Sequence, residues 1–97
     1  AQGLQNPRSL SYAQGETAKL LLDRGQPERA LRTFQQATAL AQSSHAWDAA
    51  YQWQRSVGRI HSRRGDFKRA EQAYEAAIAA LDQVRGNILA VNPEVQL

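Results

Sequence analysis

A segment of about twenty residues occurs twice in this chain, forty positions apart. "DRGQPERALRTFQQATAL" spans residues 23–40, and "RRGDFKRAEQAYEAAIAAL" spans residues 63–81. When Arg24 is aligned with Arg64, the offset stays at 40 without a gap. A fixed internal period of 20 to 50 residues is the sequence signature of stacked repeats. We therefore expect a fold built from two copies of one unit, because a single unit cannot bury its own apolar face.

Each copy has the pattern of a helix, a short turn and a second helix. Gly25 and Gly65 stand where the first helix ends, since Gly takes a left-handed C-terminal conformation without steric cost. Pro27 suits the first turn of the helix that follows, and Asp66 is placed to cap the corresponding helix. Apolar residues recur every three or four positions on both sides of Gly65: Ala46, Ala50, Trp53, Val57 and Ile60 before it, and Phe67, Ala70, Ala73 or Tyr74, Ala77, Leu81 and Val84 after it.

The pattern predicts an all-α protein with four helices. They cover residues 8–24, 27–43, 46–64 and 67–85, and the last can run on to Val91. The chain of 97 residues is short enough to be one domain, with repeat 1 at about 8–43, repeat 2 at about 46–85 and a C-terminal extension at 86–97. Its apolar content of 42% is rich in Ala, which predicts a thin, closely packed core. Both ends of the sequence suggest a fragment of a longer protein.

The spacing of small and aromatic residues resembles the tetratricopeptide repeat. That family has a small residue, an aromatic residue three positions later, an Ala nine after that, an aromatic residue four later and a small residue three later. The first copy has Ala18, Leu21, Ala30, Phe34 and Ala37 at these positions, and the second has Gly58, His61, Ala70, Tyr74 and Ala77. The resemblance implies antiparallel helical hairpins stacked as a fragment of a right-handed α-solenoid. In such packing the small residues allow two helices to approach and the rings fill the space between them.

This sequence departs from the family pattern at three points. Gln14 and Gln54 stand where the family has Trp, and Gln42 and Asp82 stand where it has Pro. The period is 40 residues, whereas the tetratricopeptide repeat has 34. These departures leave the subclass open.

A second resemblance covers the last 17 residues. "LDQVRGNILAVNPEVQL" (81–97) is similar to the segment that closes the tetratricopeptide array of cyanobacterial proteins with a caspase-like CHAT domain downstream. It implies that this chain can be the regulatory arm of a cysteine-protease-like parent protein.

Positive charge is concentrated in one part of the chain, which has a net charge of +3 overall. Arg55, Arg59 and Arg63 are spaced four residues apart on the helix face opposite Trp53 and Val57. We call these three arginines the Arg stripe. By resemblance, the first helix of each pair lines a concave groove that binds extended partner segments. The predicted groove residues are Tyr51, Gln52, Arg55, Arg59 and Arg63, with Lys19 and Tyr12 at the matching places in the first copy.

Two interpretations of the Arg stripe remain open. In one it is a solvated helix face whose repulsion is offset by nearby carboxylates such as Asp66. In the other it binds an acidic segment of a protein partner or of the parent chain. The carboxylate clamp known from this family needs a Lys and two Asn, and no Asn lies between Asn6 and Asn87, so that mode is excluded.

The sequence offers no catalytic, metal-binding or cofactor-binding constellation. It has no Cys, and its two histidines, His45 and His61, lie about 24 Å apart if they share one helix, too far to ligate one metal. His61 is expected to be a packed ring, His45 with Asp48 marks a helix start, Trp53 belongs to the core, and Trp47 covers a helix start or meets a neighbouring chain. We expect no membrane span and no signal peptide, which favours a cytoplasmic location over secretion. Nucleic-acid binding is disfavoured because no recognised motif accompanies the basic residues.

The open ends of the repeat pair predict self-association. Two repeats fall short of the three or so that a stacked array usually needs. The apolar segment 87–97 is therefore expected to extend the last helix and to cover an exposed face of this chain or of a second copy.

Overall fold

Four helices joined by short turns make up the part of the protein that the structure describes. The computed structural model describes residues 6–91, and for residues 89–91 it describes the backbone alone. The helices are α1 (Pro7–Asp23), α2 (Pro27–Ser43), α3 (Trp47–Arg63) and α4 (Phe67–Val91). No strand occurs within residues 6–91, so the all-α prediction is confirmed. The helix ends agree with the sequence-based bounds to within one residue, except that α4 continues through Val91; residues 92–97 of the predicted extension lie outside the described residues.

All three turns end the preceding helix in the same way. Gly25 and Gly65 have φ angles of 75° and 78°, and His45 has a φ of 56° at the corresponding place in the middle turn. At each turn the next amide donates back across the helix end, from Gln26 to Leu21 O at 2.9 Å in the first turn. This is the Schellman arrangement, in which a left-handed residue satisfies carbonyls at a helix C-terminus. The glycines at two of these turns were predicted from the sequence, but the role of His45 was not.

The helices that follow the turns begin in different ways. Asp66 Oδ1 accepts a hydrogen bond from the Arg69 amide at 3.2 Å, which is the predicted cap of α4. Pro27 occupies the first turn of α2. The connections of three residues or so make successive helices antiparallel neighbours, and α1 packs on α2, α2 on α3 and α3 on α4.

The core lies between α2 and α3 and is built from Ala around two large rings. Trp53 and Phe34 are both completely buried, with ring centroids 6.0 Å apart. Alanines at the helix contacts are buried around them: Ala18, Ala30, Ala37, Ala41, Ala46, Ala49 and Ala50. The small Ala side chains let the helix backbones approach closely. The rings of Trp53 and Phe34 fill the larger space that remains between α2 and α3.

Candidate binding groove

A groove opens between the C-terminal halves of α1 and α3, with α2 beneath it. It encloses about 460 Å³. Apolar side chains and charged side chains both line it: Leu22, Pro27, Phe34 and Ile60 among the former, and Lys19, Asp23, Arg59, Arg63 and Arg64 among the latter. The groove therefore combines an apolar surface with a mainly basic rim.

The groove continues along α3 towards its N-terminus. A second concavity of about 320 Å³ is lined by Lys19, Gln52, Arg55, Ser56 and Arg59. Lys19 and Arg59 line both parts, so the two concavities share a boundary. The structure thus brings five of the predicted groove residues together: Lys19, Gln52, Arg55, Arg59 and Arg63.

Neither of the two predicted tyrosines lines the groove. The Arg55 guanidinium lies over the ring of Tyr51, 5.8 Å from its centroid, and Arg55 Nη1 is 3.4 Å from the Tyr51 hydroxyl. The Tyr12 ring packs edge-on against Trp53, with centroids 5.8 Å apart. Tyr51 therefore positions a groove arginine, and Tyr12 belongs to the contact between α1 and α3.

The Arg stripe has no carboxylate partner in the described part of the chain, a property that it shares with Arg24, Arg29, Arg32 and Lys68. Arg8, Arg64, Arg69 and Arg85 each form an ion pair, with Asp48, Glu28, Asp66 and Asp82 respectively. Within residues 6–91, no carboxylate comes within 4.0 Å of Arg55, Arg59 or Arg63. Asp66, which the solvated-face interpretation assigned to this stripe, pairs with Arg69 instead. Arg55 contacts the Tyr51 hydroxyl, but none of the three guanidinium groups pairs with a carboxylate of the described residues.

A close contact between α1 and α3 sets one end of the groove. A Cβ placed on Gly15 would lie 2.2 Å from Cη2 of Trp53, so only glycine fits there without a shift. The Trp53 indole N–H donates to Ser11 Oγ at 3.0 Å, and Ser11 in turn donates to Ala37 O at 2.7 Å. Both side chains are completely buried. Ser11 thereby joins α1, α2 and α3 at one point, beyond which α1 and α3 leave room for the groove.

Lys19 connects this contact to the groove. Its ammonium lies 5.6 Å from the centroid of the Trp53 ring and 3.1 Å from Glu16 Oε2. A cation over an indole ring is attracted by the ring quadrupole. Lys19 is consequently held between the helix contact and the groove rim.

A polar cluster of Arg8, Tyr12 and Asp48 ties the first helix to the start of the third. Asp48 Oδ2 accepts from the Tyr12 hydroxyl at 2.8 Å and from Arg8 Nη2 at 3.1 Å. Burial opposes ionisation of Asp48, but the Tyr12 hydrogen bond, the charge of Arg8 and nearby backbone N–H groups outweigh it, so the pKa of Asp48 lies below its ordinary value. Burial is the largest cause that raises the pKa of Tyr12, and the hydrogen bond to Asp48 and the negative charge of Asp48 raise it further.

The roles of Ser11, Gly15 and Asp48 were not predicted from the sequence. Asp48 was expected at a helix start and does lie there, in the first turn of α3. Its carboxylate, however, bonds to residues 36 and 40 positions earlier. One signal in the repeat could have indicated this ion pair. Arg8 aligns with Asp48 at the offset of 40, so equivalent positions of the two copies carry opposite charges.

A comparison with protein families decides what kind of repeat this is. The family model for the tetratricopeptide repeat matches residues 9–83, which covers all but the ends of the helical array. The chain belongs to the tetratricopeptide repeat family. No curated protein and no solved structure matches this chain closely enough to be informative. Tetratricopeptide repeats generally mediate protein–protein interactions, and the family is typically non-enzymatic.

The small and aromatic positions of the tetratricopeptide pattern lie at helix contacts. Ala18, Ala30, Phe34 and Ala37 are completely buried in the first repeat, and Leu21 is partly buried. In the second repeat, Ala70 and Ala77 are buried and His61 is half-buried. A Cβ on Gly58 would lie 2.7 Å from the ring of Tyr74, so glycine makes room for that ring.

Two negative findings complete the description. Residues 6–91 contain no group of three His, Cys, Asp or Glu side chains that could hold a metal ion. Over the same residues, no helix has the length and apolar character needed to cross a membrane.

Trp47 is half-buried, and its ring lies 5.7 Å from that of His45 in the turn before α3.

Proposed function

We propose that this tetratricopeptide module binds an extended acidic segment of a protein partner, or of its own parent chain, in the groove between α1 and α3. The observation that supports this most strongly is the unpaired Arg stripe beside an apolar groove surface. Arg guanidinium groups bind carboxylates through two parallel hydrogen bonds, and such charge-assisted bonds are stronger than neutral ones.

Each part of the groove has a distinct role in this proposal. Arg55 and Arg59 bind carboxylates of the segment, and Arg63 extends the same row towards the end of α3. Lys19 adds a positive charge from the opposite wall. Leu22 and Ile60 contact the aliphatic parts of the segment, so binding is not purely electrostatic. Tyr51 holds Arg55 in place through the contact described above.

A charge-matched pair of variants tests the proposal. The probe is a fluorescein-labelled peptide of repeating Glu-Gly, with a Gln-Gly peptide as the neutral control. Arg55→Ala with Arg59→Ala should weaken binding of the Glu-Gly peptide at least about tenfold and reduce its salt dependence, because two charge-assisted contacts are removed. Arg32→Ala with Lys68→Ala removes the same net charge from exposed positions on α2 and α4, and should change the affinity by less than about twofold.

Stability separates a binding role from a packing role. Like charges four residues apart on a helix repel by about 0.2–0.5 kcal/mol per pair, so the Arg55→Ala, Arg59→Ala variant should be as stable as the parent or slightly more stable. Loss of stability in urea would assign these arginines to packing. Equal binding of both double variants would favour the solvated-face interpretation, and tighter binding of a single-stranded oligonucleotide than of the peptide would favour a nucleic-acid role.

A second candidate function rests on the segment 81–97. We infer from its similarity to the closing segment of CHAT-containing proteins that this module can act as the regulatory arm of a caspase-like protease. The helix α4 spans the first part of that segment, through Val91. The encoded sequence after Leu97 tests this directly: a domain with a Cys and His pair of caspase type supports the regulatory role, and its absence removes it.

A further inference from the structure

One face of α4 carries exposed apolar side chains from Phe67 to Ile88, interrupted by two charged residues and by the half-buried Tyr74. Phe67, Ile78, Leu81 and Ile88 are exposed to 69%, 58%, 37% and 48% of their surface. They belong to a row with alternating spacings of four and three residues, which is the spacing of a coiled-coil seam. We call this row the α4 stripe; its members are Phe67, Glu71, Tyr74, Ile78, Leu81, Arg85 and Ile88.

The first repeat shows how the residues at the equivalent positions of α2 are packed. The equivalent residues of α2, forty positions earlier, are Leu31, Phe34, Thr38 and Ala41, and all four are buried. They are buried in the first repeat because the antiparallel helix α3 packs on α2. The α4 stripe is thus a surface of the kind that accepts an antiparallel helix, and no helix within residues 6–91 covers it.

The charges within the stripe indicate which helix fits. Glu71 and Arg85 lie one on each side of the apolar centre, and they replace Leu31 and His45 of the first repeat. A second α4 laid antiparallel, with the two-fold axis between Ile78 and Leu81, pairs Ile78 of each copy with Leu81 of the other. Arg85 of each copy then lies opposite Tyr74 of the other copy. The Glu71 of that other copy is three residues from its Tyr74, which is about 4.5 Å along the helix axis.

The α4 stripe is therefore self-complementary in the antiparallel sense. We propose that a second copy of this chain covers it and that the protein forms a two-fold symmetric dimer through α4. A two-fold interface uses the same patch on both subunits, as this stripe requires. In the separate chain Arg85 forms an ion pair with Asp82 on its own helix, but that pair is more than half exposed and opposes re-pairing only weakly.

The dimer is independent of the groove. The groove is built by α1, α2 and α3, and none of its lining residues belongs to α4. The dimer would then carry two groove sites, one on each subunit. Such a dimer would bind a segment that carries two acidic stretches more tightly than one that carries a single stretch, through effective concentration.

Sedimentation equilibrium from micromolar to millimolar concentration tests the association itself. We expect the 97-residue chain to shift from monomer to dimer in this range. Ile78→Lys should remain monomeric, because it places two charges at the centre of the interface, and it should still bind the Glu-Gly peptide with unchanged affinity. Because Ile78 is 58% exposed, its replacement should not unfold the chain. A strictly monomeric parent chain would overturn the proposal and leave a helix of different sequence as the occupant.

Charge reversal tests the antiparallel sense. Glu71→Arg alone and Arg85→Glu alone should each weaken the dimer on the order of tenfold, because like charges then meet at two equivalent places. The combination of both changes in one chain should restore it, and an equimolar mixture of the two single variants should form a heterodimer. A parallel dimer would already bring Glu71 to Glu71 and Arg85 to Arg85, so single reversals that leave association unchanged would contradict the proposal.

Cross-linking tests the register, since the natural chain has no cysteine. Ile78→Cys mixed with Leu81→Cys should oxidise to a mixed disulfide dimer. Phe67→Cys alone should not cross-link, because an antiparallel partner places its own Phe67 at the far end of the helix. A strong Phe67→Cys homodimer would indicate a parallel pair and overturn this arrangement.

Discussion

Trp53 donates its indole N–H to the hydroxyl of Ser11, 3.0 Å away on a different helix. The same hydroxyl donates to the carbonyl of Ala37, so one small side chain satisfies a buried donor and links three helices. Among the described residues no buried side-chain polar atom lacks a partner. The orientation of Trp53, and with it the separation of α1 from α3, depends on this bond.

Replacement of Ser11 should destabilise the protein. Ser11→Ala leaves the indole N–H of Trp53 buried without an acceptor, which costs about 1–3 kcal/mol. The free energy of unfolding in urea measures this, and Ser9→Ala is the control, because Ser9 is exposed and near the same helix end. Equal stability of the two variants would show that the buried bond contributes nothing.

Two glycines should respond in opposite directions to the same substitution. Gly15→Ala drives a Cβ into the Trp53 ring, and overpacking of this kind costs about 1–3 kcal/mol. A Cβ on Gly86 in α4 meets nothing within 4 Å, so Gly86→Ala should stabilise the protein by about 0.5–1 kcal/mol through higher helix propensity. Thermal unfolding of both variants checks the pair, and a stabilising Gly15→Ala would contradict the close approach of α1 to α3.

The left-handed turn residue His45 gives a third test. His45 has a φ of 56° where the other two turns have glycine, so His45→Gly should raise the melting temperature by removing a cost of about 1 kcal/mol. Gly25→Ala at φ 75° should lower it by a similar amount. His45→Gly also loses the ring contact with Trp47, which lowers the gain in stability. Asn tolerates the left-handed conformation as well, so His45→Asn gives a second measure of the stability lost with that contact.

Asp48 should make stability depend on pH in the acid range. Because its folded pKa lies below the unfolded value of about 3.9, the contribution of the carboxylate is fully present above that value and is lost as the pH falls through the folded pKa. The effect should be small, since the carboxylate is 49% exposed. Asp48→Asn should flatten the decrease in unfolding free energy between pH 5 and the acid limit, as measured by urea titration at each pH. An unchanged slope would assign the acid dependence to other carboxylates.

The helices could be predicted from the sequence because their signals are local. Gly25, Gly65, Pro27 and Asp66 each act within one turn of their own position, and apolar spacing marks the buried face of a helix without reference to its neighbours. The Arg stripe was found for the same reason, since three arginines four residues apart must share a face. Trp53 was correctly assigned to the core from its place in the apolar row.

The contacts between helices could not be predicted from the same signals. Ser11 and Trp53 are 42 positions apart, and nothing in either helix specifies which residue of the other it meets. The close approach at Gly15 depends on the crossing of α1 and α3, and periodicity within one helix does not determine that crossing. The repeat position of Tyr12 predicts a place in the groove, whereas its hydroxyl is held by Asp48 in the first turn of α3 and the residue does not line the groove.

The position of a bound acidic segment tests the central proposal most directly. Amide chemical shifts of the isotope-labelled chain, recorded as the Glu-Gly peptide is added, report which residues the peptide approaches. We expect the largest changes at Lys19, Gln52, Arg55, Arg59 and Arg63, with the Gln-Gly peptide causing little change at the same concentration. Changes centred on the outer faces of α2 and α4, or equal changes with both peptides, would contradict an acidic-segment groove between α1 and α3.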